Sequence, residues 1–385
     1  MAGIYVHIPF CRSRCVYCDF YSTTREEEAE AYVAALCAEA RERRKELEGL
    51  RVRTIYIGGG TPSLLSSEQL CRILSCIRDH YQVEPDAEVT LEMNPEDVGK
   101  KDLRLMIDEH RPQTLVLDPS SFINRISLGI QTFDDPLLRL LRRRHDAARA
   151  VEAVRTLQAA GYDNISIDLI YGLPGQTMEL WKRDLDTAFS LGVQHLSAYA
   201  LSYEPGTLLS RWKQEGRVIE ATDELSVEMY ECLCERAKKA GFQHYEISNF
   251  CLPGFHSRHN SSYWMGEPYI GLGPGAHSFD GDRTRRANNP DLQQYLLSPQ
   301  SPPATFEHLS DTDLYDEAVM CGLRTARGVD LGQIASRFGA DRHDYLLRQA
   351  ATHLRRGRLL LEDNRLRLAE EALMVSDDVM SDLMA

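Results

Sequence analysis

Long apolar runs are missing from these 385 residues. None reaches the ~18 consecutive apolar residues of a membrane span. An excess of positive charge is missing too: 44 Lys and Arg stand against 58 Asp and Glu, a net charge of −14. Such a chain has no broad electrostatic grip on nucleic acid or an anionic bilayer, so nucleic acid is not an expected partner. Repeats and low-complexity segments are absent. The 43% apolar and 26% charged residues are those of an ordinary globular protein. The start, Met-Ala-Gly-Ile-Tyr-Val-His-Ile-Pro-Phe, lacks the basic and apolar stretches of a secretory signal. A cytoplasmic protein is therefore expected. Single cores stop growing near ~250–300 residues, so one large domain and a smaller one are expected.

There are ten cysteines, and seven are scattered. In a reducing compartment these read as free thiols packed as small apolar groups. Cys11, Cys15 and Cys18 differ, standing in C-x3-C-x2-C spacing within Phe10-Cys-Arg-Ser-Arg-Cys-Val-Tyr-Cys-Asp-Phe20. This run lets three thiolates meet one centre. Zinc usually takes four ligands, and only His7 offers itself as a fourth. An iron–sulfur cluster on three thiolates keeps one iron open to an outside ligand.

Strand and helix patterns alternate along the first 240 residues. Strands are expected at Ile4–Ile8, Arg53–Ile57, Ala87–Leu91, Arg125–Leu128, Ile165–Ile170 and His195–Leu201. Helical stretches are expected at 26–48, 67–81, near 100–110, over 135–160, at 177–191 and at 222–240. Six such units predict an α/β fold with a parallel sheet and outer helices. They are too few for an eightfold barrel, and both a partial barrel and an open doubly wound sheet fit. Either form puts its active site at the carboxyl ends of the strands. Residues 111–122 read as an extra loop. Residues 241–303 are rich in Gly, His and aromatics and end in a Pro-rich linker at 298–303. Residues 304–385 read as a mainly helical second domain with a small hairpin at 358–368.

The chemistry-bearing motifs fall at those strand ends. Gly58-Gly59-Gly60-Thr61-Pro62 follows the second strand, where glycines allow close approach of a ligand. Glu92 ends the third strand and Gln131 the fourth. Arg143 is expected on the next helix, and Asp168 lies on the fifth strand. Polar groups inside a barrel are costly without partners, so a shared ligand pocket is expected.

The cysteine run after a first strand resembles the radical S-adenosylmethionine (SAM) superfamily, with Tyr17 fitting its aromatic position before the third Cys. The resemblance implies a partial (β/α)6 barrel and a [4Fe-4S] cluster on Cys11, Cys15 and Cys18. SAM would bind the fourth iron. Gly59, Gly60 and Thr61 resemble the superfamily's GGE-type motif, with Thr61 where many members have Glu. The same resemblance places Tyr5, Tyr17, Glu92, Gln131, Arg143, Asp168, Ala200 and His277 around SAM.

More narrowly, the chain resembles the oxygen-independent coproporphyrinogen III dehydrogenases and their relatives. The matching pieces are His7-Ile-Pro-Phe-Cys, Tyr17-Cys-Asp-Phe, Ser127-Leu-Gly-Ile-Gln-Thr-Phe, Asp168-Leu-Ile-Tyr-Gly-Leu-Pro-Gly, Tyr245-Glu-Ile-Ser-Asn-Phe and Gly271-Leu-Gly-Pro-Gly-Ala-His-Ser. The match runs over residues 3–380. The dehydrogenases have a further Cys where this chain has Phe20, and an extension ahead of the cluster loop. The chain is more similar to the haem chaperone (HemW) branch, which shares Cys-Asp-Phe and His259-Asn-Ser-Ser-Tyr-Trp264. That likeness implies haem as cargo, with His259 as an iron ligand and Tyr263 and Trp264 as aromatic faces. It implies delivery to haem-dependent respiratory enzymes, through no more than transient membrane contact, by a monomer or homodimer. The alternatives are decarboxylation of coproporphyrinogen III, another radical SAM reaction on a tetrapyrrole, or a zinc-stabilised binding module.

Overall fold

The computed structural model describes residues 1–99 and 123–385. The helix expected near 100–110 and the loop at 111–122 lie outside the described residues. Six parallel strands lie side by side in chain order: β1 (Ala2–Ile8), β2 (Arg51–Gly59), β3 (Gln82–Met93), β4 (Arg125–Gln131), β5 (Ile165–Tyr171) and β6 (His195–Ala200). A doubly wound sheet reverses its strand order at a switch point. Here the order never reverses, so the partial barrel forms.

Each strand alternates two kinds of residue. Ile4, Val6, Ile8, Ile55, Ile57, Val89, Leu91, Ile126, Leu128, Ile165, Ile167 and Leu169 are fully buried. They share one core with the outer helices, through side chains such as Val33, Leu36, Ile73, Val154, Trp181 and Leu185. Each such side chain contributes ~1.5–3 kcal/mol by leaving water. The intervening residues Tyr56, Thr90, Glu92, Ser127, Ser166, Asp168, His195 and Ser197 line a cavity inside the barrel. The period of two therefore sorts the strands into a greasy outside and a polar lumen.

The outer helices are α1 (Ala29–Glu42), α2 (Ser67–His80), α3 (Asp135–Leu140), α4 (Ala147–Ala159), α5 (Met178–Ser190), α6 (Leu208–Gln214) and α7 (Asp223–Lys239). Side chains of Ser66, Asp134, Asp146, Thr177 and Thr222 cap five of them at the N-terminus. The single helical region expected over 135–160 is two helices, α3 and α4. Arg142 adopts a positive φ of 57° in the break between them.

The Gly- and aromatic-rich stretch builds the edges of the sheet. β7 (Gln243–Glu246) and β8 (Asn249–Cys251) extend it beyond β6, with β8 antiparallel to β6. A short helix, α8 (Arg258–Trp264), then lies beneath the first strands. β9 (Tyr269–Leu272) runs parallel to β1, and β10 (His277–Phe279) and β11 (Thr284–Asn288) follow. After α9 (Leu292–Leu297), β12 (Ala304–His308) pairs with β11, so residues 298–303 connect α9 to the sheet's edge strand. β1 and β6 meet these edge strands and not each other, which leaves the barrel open.

The remaining chain has its own core. α10 (Asp311–Leu323), β13 (Val329–Asp330), α11 (Leu331–Arg355), β14 (Leu359–Glu362), β15 (Arg365–Leu368) and α12 (Ser376–Leu383) surround Tyr315, Val319, Leu346, Leu366 and Val379. The hairpin expected at 358–368 is β14–β15, which pairs with β13 in a three-stranded sheet.

Candidate radical SAM site

The cysteine loop leaves β1 and is closed at its base, where Cys11 N donates to Thr23 O (2.9 Å) and Thr23 N to Pro9 O (2.6 Å). Farther along, Leu209 N donates to Val16 O (2.8 Å), tying the loop to the start of α6. Cys11 is buried, Cys15 and Cys18 are half-buried, and all three line the cavity. Burial pushes the Cys11 thiol up and the Cys18 thiol up to about 11. Burial thus favours the neutral thiols, and holding a metal centre would release their protons.

The three glycines at the end of β2 are demanded by close packing. A Cβ on Gly58 would lie 2.8 Å from Glu92 Oε1. Gly59 has a φ of 103°, and a Cβ there would lie 2.6 Å from His7 Nδ1. A Cβ on Gly60 would lie 2.6 Å from Phe10 O and 3.1 Å from Cys11 Sγ. Thr61 then turns its hydroxyl toward Cys11 Sγ (3.5 Å), and Asn94 Nδ2 donates to that hydroxyl (3.3 Å).

Arg143 lies in the break between α3 and α4, a correction to its expected place on a helix. The left-handed Arg142 turns the chain there, and Arg143 N donates to Leu138 O (2.9 Å). The guanidinium reaches into the lumen, donating to Asn94 Oδ1 and Gly129 O (2.6 Å each) and to Cys15 Sγ (3.4 Å). Its buried Nε finds no partner among the described residues. A permanent cation is thus held against a cysteine sulfur.

Two of the carboxylates lining the cavity stand on strands. Glu92 accepts from Tyr56 Oη (2.8 Å) and Gly59 N (3.0 Å), and Asp168 from Ser127 Oγ (3.3 Å). Withdrawal from water pushes Glu92 up to about 7 and Asp168 up to about 6. Thr90 Oγ1 is buried nearby with no partner among the described residues. Gln131 ends β4 with a φ of 74°, rare for a side-chain-bearing residue.

The cavity, about 490 Å³, thus gathers Cys11, Cys15, Tyr17, Cys18, Gly59, Gly60, Thr61, Glu92, Gln131, Arg143, Asp168 and Ala200. Tyr5, His277 and His259 fall outside it. Tyr5 is turned to His7, its Oη 3.0 Å from Nδ1. His277 is on β10, between β9 and β11, with its side chain exposed. His259 is 1% exposed on α8, with Nδ1 2.8 Å from Thr54 Oγ1 and Nε2 2.8 Å from Tyr263 Oη. Both its ring nitrogens are taken, so in this conformation it offers no lone pair to an iron. Sequence reasoning missed Asn94, Asn260, Thr90, Ser127 and Ser197; for the last three, alternate polar residues in otherwise apolar strands were a usable signal.

Among the described residues no three His, Cys, Asp or Glu side chains surround a single-ion position. His7 is committed as well, its Nε2 2.9 Å from Tyr21 O. An iron–sulfur cluster takes each thiolate on a separate iron, so its ligands need not converge on one point. The loop, the Cys15–Arg143 contact and the unpaired Arg143 Nε fit such a cluster. Two half-buried carboxylates and an orphaned hydroxyl fit a polar ligand with positive charge, as SAM has.

The radical SAM superfamily model matches residues 5–188, and the HemN C-terminal domain model matches 309–375. The heme chaperone HemW of Lactococcus lactis is 35% identical over 378 residues, covering 97% of this chain and 95% of the relative. The chain belongs to the HemW family. The heme chaperone HemW of Mycobacterium tuberculosis is likewise 35% identical, over 99% of this chain and 94% of its own. Coproporphyrinogen III oxidase (HemN) from Escherichia coli superposes with a TM-score of 0.81 at 21% identity, covering 100% of this chain and 90% of that one. That likeness establishes a shared fold. No helix of the described residues is long and apolar enough to cross a membrane.

Proposed function

We propose that this HemW-family protein is a haem chaperone. It binds haem as cargo and delivers it to haem-dependent respiratory enzymes in the cytoplasm or, by transient contact, at the membrane. The observation that carries this reading is identity of 35% with the heme chaperone HemW over nearly the whole of both chains. A secondary support is Phe20, which takes the place of the further Cys of the dehydrogenases and stands 60% exposed beside the cluster loop.

Cys11, Cys15 and Cys18 would hold a [4Fe-4S] cluster, which supplies one-electron chemistry to SAM. Arg143 would hold its charge against the Cys15 sulfur and so against the cluster. Glu92 and Asp168 would face the positive charges of SAM, which favour the ionised carboxylates against the upward push of burial. Gly59 and Gly60 would let the backbone approach the ligand, and the orphaned Thr90 hydroxyl would gain a partner.

The test is anaerobic, on cluster-reconstituted protein. Hemin titration should show saturable binding, and a haem-free respiratory enzyme should gain haem and activity when the loaded protein is added. In parallel, coproporphyrinogen III with SAM and a reductant should emerge unchanged. Formation of protoporphyrinogen with matching 5′-deoxyadenosine would make the protein a dehydrogenase and end the chaperone reading.

A further inference from the structure

The motif His259-Asn-Ser-Ser-Tyr-Trp264 does not sit at a surface where cargo could reach its histidine. It forms α8, which closes the amino-terminal end of the barrel. Ser257 and Asn260 line the bottom of the cavity. On the other side of the helix, His259 N donates to Glu88 Oε1 of β3 (3.0 Å), and the His259 ring bonds Thr54 of β2. Burial pushes the imidazole down to about 3, so it is neutral at any working pH.

The His259 ring also has a face, and that face is used. It stacks on Tyr56 at 5.1 Å between centroids with 24° between planes. Tyr263 packs edge-on against the same ring at 4.8 Å. Tyr56 in turn donates to Glu92 Oε1 (2.8 Å), and Glu92 holds Gly59 N through its other oxygen (3.0 Å). An unbroken chain of contacts thus runs from the floor helix to the carboxylate and glycine at the cavity's carboxyl end.

We infer that His259, held by Thr54 and Tyr263, is a positioning residue for SAM: it sets the Tyr56 ring, which sets the Glu92 carboxylate. The inference rests on the SAM-binding reading above. It also defines a condition for cargo. His259 can bind an iron only by leaving Thr54 or Tyr263, and that movement withdraws the support beneath Tyr56.

The experiment measures SAM affinity of the full-length, cluster-loaded protein by anaerobic calorimetry, with hemin titration of the same samples. His259→Ala should weaken SAM about tenfold, the scale of one hydrogen bond to a charged group. Tyr56→Phe, which keeps the stack but frees Glu92, should weaken SAM by a similar factor. The double variant should be no worse than Tyr56→Phe alone, because both changes act through the same bond. His259→Phe, which restores a ring face against Tyr56, should recover part of the loss. A merely structural histidine would give additive losses with no recovery. Unchanged SAM affinity in His259→Ala, or full additivity, overturns the inference. Loss of hemin binding with intact SAM affinity overturns it too, and assigns His259 to the cargo. Should His259→Ala fail to hold its cluster, Tyr263→Phe decides, since it removes only the Nε2 partner; unchanged SAM affinity there overturns the inference. Failure of the unaltered protein to bind SAM removes the underlying reading as well, which separates the two failures.

Discussion

The two ends of the barrel cavity are built from similar residues and behave differently. At the carboxyl end, the cysteine loop, Arg143 and the strand-end carboxylates leave valences open: three thiols, a bare guanidinium Nε and the Thr90 hydroxyl. At the amino end, α8 brings a histidine and a tyrosine whose polar atoms are bonded, with the imidazole taken at both nitrogens. The open end has room for a ligand that would satisfy it. The closed end is already satisfied and acts as a floor. Residue type alone does not separate a ligand from a strut; the count of remaining hydrogen-bonding positions does.

The largest effect that would break this contrast is at the open end. Replacing Cys11, Cys15 and Cys18 together with Ala should abolish bound iron, acid-labile sulfide and the broad absorption near ~400 nm after reconstitution. Retention of iron and sulfide would move the cluster elsewhere. Next comes Arg143→Met, which removes the buried donors to Asn94, Gly129 and Cys15. Hydrogen bonds from a charged group are worth ~1.5–3 kcal/mol, so urea unfolding should show a loss on that scale. A change below about 0.5 kcal/mol would mean that the cation is not integral to the site.

A smaller effect concerns pH. Glu92 rises from 4.5 to about 7 and Asp168 from 3.8 to about 6 on folding. Both therefore bind protons more tightly in the folded chain. Their contribution to stability is fullest below the unfolded values and is lost as pH rises through those windows to about 7. Melting temperature of the SAM-free protein should fall on that account across the same range. Glu92→Gln with Asp168→Asn should flatten this part of the profile, and an unaltered slope would place the titration elsewhere. The smallest effect is at the rim. Phe20→Ser should change stability by no more than about 0.5 kcal/mol, because the ring is 60% exposed. A larger loss by thermal melting would show that Phe20 packs into the loop.

Much of the open end was legible in the chain. Cysteine spacing, the glycine run and polar residues at strand ends are local features, and each falls at the cavity. Less legible were residues whose meaning depends on distant partners. Arg143 is the middle of three successive arginines and was expected on a helix, yet it lies in a break after a left-handed turn at Arg142 and reaches inward. Asn94 had no local signal at all; it matters because it lies between Thr61 and Arg143. His259 carried a strong motif, and its surroundings gave that motif a different meaning.

The sequence by itself determined the alternation of strands and helices, the apolar outer face and polar lumen of each strand, and the position of the thiols after β1. These follow from periodicity and spacing along the chain, which neighbours in sequence suffice to set. Tertiary structure alone decided that the barrel stays open, that its edges are completed by β8 and β9, and that α8 closes the floor. Those outcomes depend on contacts between residues as far apart as Thr54 and His259. Whether a buried polar atom is free or paired is settled only when such distant groups meet.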